Sequence, residues 1–232
     1  MSGDGTKTEP PHYLGHRQRL RERFLSAGGE AMQDYELLEM VLGIAIPRGD
    51  VKPLAKELIK EFGSFAGVIA ATPEALTRIK GVKETTAAAI KAIEAAAIRL
   101  AREEIAGKPL IGSWNALLDY CRASMARASI EQFRVLFLDR KNRLIADEVQ
   151  QTGTVDHTPV YPREIVRRAL ELGASALILV HNHPSGDPAP SRADIEMTRE
   201  VAKAAATLGL QLHDHLIVGR SGHTSFKSQG LL

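Results

Sequence analysis

The sequence predicts a sandwich of mixed strands and helices, of class α+β, preceded by an N-terminal all-helical domain. Three observations carry this. From residue 16 to about 104, apolar residues recur at three- and four-residue spacing and nowhere alternate. The stretch IAGKPLIG at 105–112, with two glycines and a proline, reads as a linker, and the pattern changes after it. Beyond it, helical stretches are interleaved with short apolar runs. One of them, 174–181 (ASALILVH), is broken only by Ser175, as expected of a strand buried on both faces.

Taken in order, residues 1–12 are polar and proline-containing and predict a disordered tail. The helical domain, 13–104, is expected to hold helices at 19–27, 35–42, 53–62, 73–77 and 85–104. Asp50, Thr72 and 83–85 supply helix starts, and Pro53 and Pro73 suit a first turn. Residues 16–23, HRQRLRER, place four arginines in seven positions. They spread around much of a helix, though Arg17 and Arg21 share a face at one-turn spacing, so a solvated helix is the plain reading. Residues 76–93 look like a helix-hairpin-helix, whose backbone amides could meet a phosphate. Lys83 stands where such a hairpin carries its second glycine, so it would act there as a point charge.

The second domain, 113–232, begins with a helix at 113–128, capped by Ser113. FRVLFLD at 133–139 and the run at 144–149 are strands around an RKN turn. An amphipathic helix at 162–172 ends at Gly173. The buried strand 174–181, a helix at 191–208, a strand at 210–218 and a short one near 223–226 complete it.

Composition narrows the function classes. The 232 residues are 44% hydrophobic and 25% charged, an ordinary globular balance. With 30 basic and 28 acidic residues the net charge is +2, so no overall field draws the chain to nucleic acid, and DNA binding would need a local patch. The single cysteine, Cys121, excludes an internal disulfide and a Cys-rich zinc finger, and reads as a small core residue. Metal ligands would therefore be His, Asp or Glu. Six of the eight histidines fall at or after position 157. The start carries no signal-peptide core, and no apolar stretch approaches the roughly 20 residues that span a bilayer. A soluble, cytoplasmic protein is expected.

The strongest local signal is HNHPSGDPAPSRAD, 181–194. His181 and His183 stand two apart at a strand end and can point to one side. Pro184 stops the strand, Ser191 starts a helix, and Asp194 lies three residues on. Two imidazoles and one carboxylate leave a fourth position for water, the arrangement of catalytic zinc. Each part has a plainer reading alone. An H-x-H pair arises by chance, and His213 and His215 repeat the spacing without a loop and helix behind them. Ser191-x-x-Asp194 is also a helix-start box with Asp in place of Glu or Gln.

H-x-H-P, then S-x-x-D, is similar to the signature of the JAMM metalloproteases of the MPN fold. GHRQRLRERF, FRVLFLDRKNRLI, TGTV, YPREIVRRALELGASALILVHNHPSGDPAPSRADIEMT and LHDHLIVG together resemble the bacterial RadC family over nearly all the chain from His16. The resemblance implies an α/β/α sandwich of MPN/cytidine-deaminase-like type. It implies that His181, His183 and Asp194 bind Zn2+ and that Ser191 stabilises the developing oxyanion. A glutamate at the start of an early strand would be the general base. Glu131 occupies that place, with Glu148 in the next strand as its rival. Asp214 and His215 match a recurring RadC pair. Asp214 would either hold a metal-bound histidine or pair with a basic residue.

The function so implied is a zinc-dependent hydrolase cleaving a peptide or isopeptide bond in a peptide or protein substrate. The alternatives are a DNA-associated repair or accessory protein with a structural metal site, contacting DNA through the helical domain, and a metal-dependent nuclease. An MPN sheet edge is also expected to accept a substrate strand or a second copy of the chain.

Overall fold

The computed structural model describes residues 12–153 and 160–232. The expected tail, except for His12, lies outside them, as do Thr154 and Val155 of TGTV and His157. The chain divides into two compact units, Met1–Ala95 and Ala96–Leu232.

The first unit is helical: α1 (His12–Ala27), α2 (Asp34–Ala45), α3 (Lys52–Phe62), α4 (Phe65–Ala70), α5 (Pro73–Thr77) and the start of α6 (Glu84–Ile105). The 3.6-residue period places Leu38 and Leu42 of α2, Ala55 and Leu58 of α3, Leu76 of α5 and Ala87 and Ile90 of α6 in one core. Thr72 Oγ1 accepts from Ala75 N and caps α5. Six-residue α4, absent from the expectation, is too short to show a period. It is started by Ser64, whose Oγ accepts from Gly67 N at 3.0 Å.

Two arginines of the α1 run, Arg17 and Arg23, are engaged within this unit. Arg17 donates to the carbonyl oxygens of Ile46, Pro47 and Gly49, where α2 ends, and Arg23 pairs with Glu36 at 2.6 Å. Between α5 and α6 the chain turns at Gly81, whose φ of +97° is open to glycine. Lys83 O then accepts from Thr86 N and Ala87 N as α6 begins.

The second unit is a three-layer sandwich. Its strands are β1 (Glu131–Leu138), β2 (Leu144–Gly153), β3 (Ala176–Asn182), β4 (Gln211–Gly219) and β5 (Gly222–Ser225), in the order β2-β1-β3-β4-β5. Among the described strands only β3 and β4 run parallel, joined through helix α9 (Arg192–Thr207). Helix α7 (Trp114–Met125) packs on one face against Leu136, Leu138, Ile178, Val180 and Leu216. Helix α8 (Pro162–Glu171) and α9 cover the other face, against Phe133, Val135, Leu177 and Leu179. Side-chain alternation along β1 and β3 feeds both cores, so β3 is buried throughout.

The expected linker, 105–112, is packed rather than loose: Ile105 and Leu110 are buried in the α7-side core. Its glycine and proline form a turn with Gly107 at φ +70° and lead into a short 3-10 turn at Leu110–Ser113. Cys121 lies in the same core, and burial pushes its thiol up to about 12, which leaves it inert.

Candidate metal centre

His181 lies at the end of β3, Asp194 in the first turn of α9, and His183 on the segment between them. The strand carries His181 onto the α8/α9 face, where its ring stacks on Phe133. Helix α9 turns a stripe of Thr198, Val201 and Ala205 toward the sheet, and Asp194 lies one turn before Thr198 on that stripe. The packing that buries α9 therefore also delivers the carboxylate.

The three side chains converge. His181 Nε2 is 3.0 Å from His183 Nε2 and 3.4 Å from Asp194 Oδ1, and His183 Nε2 is 3.7 Å from Asp194 Oδ2. It is the one group of three or more metal-ligating side chains found among the described residues.

The outer nitrogens decide which atoms face inward. His183 Nδ1 is 2.8 Å from the carbonyl oxygen of Asp187. A carbonyl only accepts, so Nδ1 carries the proton and Nε2 of the neutral ring offers a lone pair. The loop bearing Asp187 is strapped to the β4–β5 turn. Arg220 Nη2 donates to Ser185 O, and Ser221 Oγ donates to Gly186 O. A Cβ on Gly219 would lie 2.3 Å from Gly186 O, so only glycine lets the two backbones come this close.

His181 is 1% exposed, and burial holds its pKa down to about 4, keeping the ring neutral. The Asp194 carboxylate raises His183. For Asp194 itself burial disfavours the charge, but the two imidazoles and the Ser191 donors outweigh it. Its carboxyl is held well below the usual range.

Ser191 sits at the N-cap of α9. Its Oγ accepts from Asp194 N at 3.1 Å and donates to Asp194 Oδ2 at 2.6 Å, and Ser191 N donates to the same oxygen at 2.7 Å. The structure thus holds Ser191 in the capping box, orienting Asp194.

Glu131 opens β1 beside the site. The β1–β3 ladder ends where Phe133 pairs with His181, two residues past Glu131, and His183 and Asp194 are near enough to act on the Glu131 charge. Burial raises its carboxyl, with the charges of His183 and Asp194 acting in opposite directions on it. Glu148 has a different environment. Arg168 clamps both its oxygens at 2.6–3.1 Å and lowers its pKa.

The two readings of Asp214 both give way. It is buried, and it accepts from Ser225 Oγ, Lys227 N and His215 N. Among the described residues its carboxylate bonds neither the imidazole of His181 or His183 nor a basic side chain, because neighbours on β4 face opposite sides of the sheet. The site-facing residue is His215. A bulge at His213 shifts the β3–β4 register, so that His215 lies beside Leu179 and within 2.7 Å of His181.

Asn182 was not singled out from the sequence. It faces away from the two histidines. Its Oδ1 accepts from Gln132 N at 2.9 Å, and its Nδ2 donates to Ile130 O at 3.2 Å and Ala128 O at 3.4 Å. It fastens the segment that carries Glu131.

In the first unit, Arg48, Gly81, Lys83, Thr85 and Thr86 line a cavity of about 420 Å³ beside the Gly81 turn. No helix among the described residues is long and apolar enough to cross a membrane.

Residues 111–231 match the family model of the RadC-like JAB domain, and residues 12–88 match that of the UPF0758 N-terminal domain. A protein of Rhodobacter capsulatus named UPF0758 protein is 62% identical over 213 residues, which is 92% of this chain and the whole of that protein.

Proposed function

The chain belongs to the RadC family, with a JAB/MPN-like second unit, and from that premise we propose that it is a zinc-dependent hydrolase of peptide or isopeptide bonds. The observation that carries the reading is the pair of imidazole Nε2 atoms 3.0 Å apart with a carboxylate beside them. Two lone pairs at that distance repel unless a cation or a proton lies between them. Zinc bonds of about 2.0–2.1 Å at tetrahedral angles set donor atoms about 3.3 Å apart. The separations of 3.0, 3.4 and 3.7 Å surround that value. The donor set, two imidazoles and one carboxylate, suits zinc with a position left open.

When bound, zinc would polarise a carbonyl and bring the pKa of water toward neutrality. The chain's own residues supply the rest. Glu131, with its raised carboxyl, takes a proton from water and returns it to the leaving amine. Arg168 holds Glu148 ionised and occupied, which favours Glu131 as the base. Ser191 keeps Asp194 aimed at the site, and its hydroxyl serves the oxyanion once it turns from Asp194.

The test is metal analysis of the full chain beside His183→Ala, then hydrolysis assays on a library of peptides and isopeptides and on DNA. About one zinc per chain, lost in the variant, with amide cleavage, is expected. Zinc far below one per chain overturns the reading. Full zinc with salt-sensitive DNA binding and no amide cleavage favours the DNA-associated alternative, and cleaved DNA the nuclease.

A further inference from the structure

The geometry points to a two-residue relay, Thr198 to His215, that fixes the tautomer of His181 and thereby sets the metal affinity of the site. The inference rests on the proposed metal site and goes beyond its ligands. Thr198 Oγ1 lies 2.5 Å from the carbonyl oxygen of Asp194 and 2.6 Å from His215 Nδ1. A hydroxyl has one proton, and a carbonyl can only accept. Thr198 must therefore donate to Asp194 O and accept from His215, so His215 carries its proton on Nδ1.

His215 Nε2 is then an acceptor, 2.7 Å from His181 Nδ1. His181 donates across that contact, and its own Nε2 is left with a lone pair. That atom is the one facing His183 and Asp194. His215, Thr198 and His181 are all buried, so no solvent competes for these contacts. Phe133 and Phe226 hold the His215 ring from two sides, with centroids 5.8 and 4.5 Å away.

The same helix thus supplies a ligand and the proton acceptor that orients another ligand. Asp194 and Thr198 are one turn apart, and the bond from Thr198 to the Asp194 carbonyl ties the two functions together. With the opposite tautomer His181 would turn an N–H toward the metal position. Thr198 and His215 are positioning residues.

Thr198→Val keeps the side-chain size and removes the hydroxyl, and Thr198→Ser restores it. In the metal-free full chain, long-range 1H–15N spectra of the imidazoles read the tautomers directly. His181 is expected as Nδ1–H in wild type and in Thr198→Ser, with Nε2–H appearing in Thr198→Val. Zinc affinity, measured with the ion alone against a chelator, should fall about 10–100-fold in Thr198→Val and return in Thr198→Ser. His215→Phe, which fits beside the two phenylalanines but accepts nothing, should lose affinity similarly and covers the case in which Thr198→Val does not fold. Wild-type spectra and affinity in Thr198→Val, or wild-type affinity in His215→Phe, overturn the relay. A wild-type chain that binds no zinc would sink the metal reading, while the metal-free spectra still decide the relay.

Discussion

Replacing Asn182 with alanine tests how the site is held without touching a proposed ligand. The asparagine side chain is fully buried on the side away from His181 and His183 and makes hydrogen bonds with Gln132 N, Ile130 O and Ala128 O at 2.9, 3.2 and 3.4 Å. The two shorter bonds contribute about 0.5–1.5 kcal/mol each, and a buried partner left unsatisfied costs about 1–3 kcal/mol. Asn182→Ala should therefore lower the stability of the second unit by about 2–4 kcal/mol. At roughly 2–8 °C per kcal/mol for units of this size range, the midpoint should fall by roughly 10 °C. Thermal unfolding of the metal-free full chain reads this directly. The release of the 128–132 segment should also lower turnover, since Glu131 loses its anchor, while zinc binding stays near wild type. A midpoint within about 2 °C of wild type would refute the reasoning, because no rearrangement of that segment could then be costing anything.

Three further outcomes are expected. Glu131→Gln should lower turnover by about 10²–10⁴ with zinc content unchanged, whereas Glu148→Gln, which only breaks a half-exposed pair with Arg168, should leave turnover near wild type; steady-state kinetics with metal analysis separates them, and the reverse ranking would exchange their roles. The metal-free chain should lose stability as the pH falls from 7 to 5. The unfolded histidine takes up a proton near 6.5, but buried His181 does so only near 4, so the unfolded state binds more protons across that window. His181 alone accounts for about 2 kcal/mol there. Buried His215 adds in the same direction, and His183, raised by Asp194, subtracts. A urea midpoint that is flat or rises toward pH 5 counts against buried neutral histidines. Gly219→Ala should destabilise by about 1–3 kcal/mol and weaken zinc binding, because the new Cβ displaces Gly186 O and with it the loop that orients His183; unchanged zinc affinity would detach that strap from the site.

Much of the second unit was legible in the sequence because its elements are strongly patterned. The run at 174–181 announced a doubly buried strand, and Ser191-x-x-Asp194 announced a helix start; both stand where the pattern placed them, as β3 and α9. The convergence of His181, His183 and Asp194 followed from a strand end, a proline stop and a helix first turn, all local features. Short or non-periodic pieces were not legible. Six-residue α4 shows no period, and the glycine and proline of 105–112 mask the burial of Ile105 and Leu110.

The sequence by itself determined the donor types available to a metal, because one cysteine and a late cluster of histidines leave imidazole and carboxylate. It also determined that the two histidines share a side, since that follows from the two-residue period of a strand. Which neighbours act on those candidate ligands was decided only in three dimensions. Asp214 and His215 are adjacent in the chain, yet one faces the C-terminal segment and the other faces His181, and a bulge at His213 sets which is which. The proposed preference for Glu131 over Glu148 likewise rests on Arg168, twenty residues from Glu148 and on another element. The physical reason is common to both. Periodicity fixes the direction of a side chain relative to its own element, whereas register and packing between elements fix what it meets.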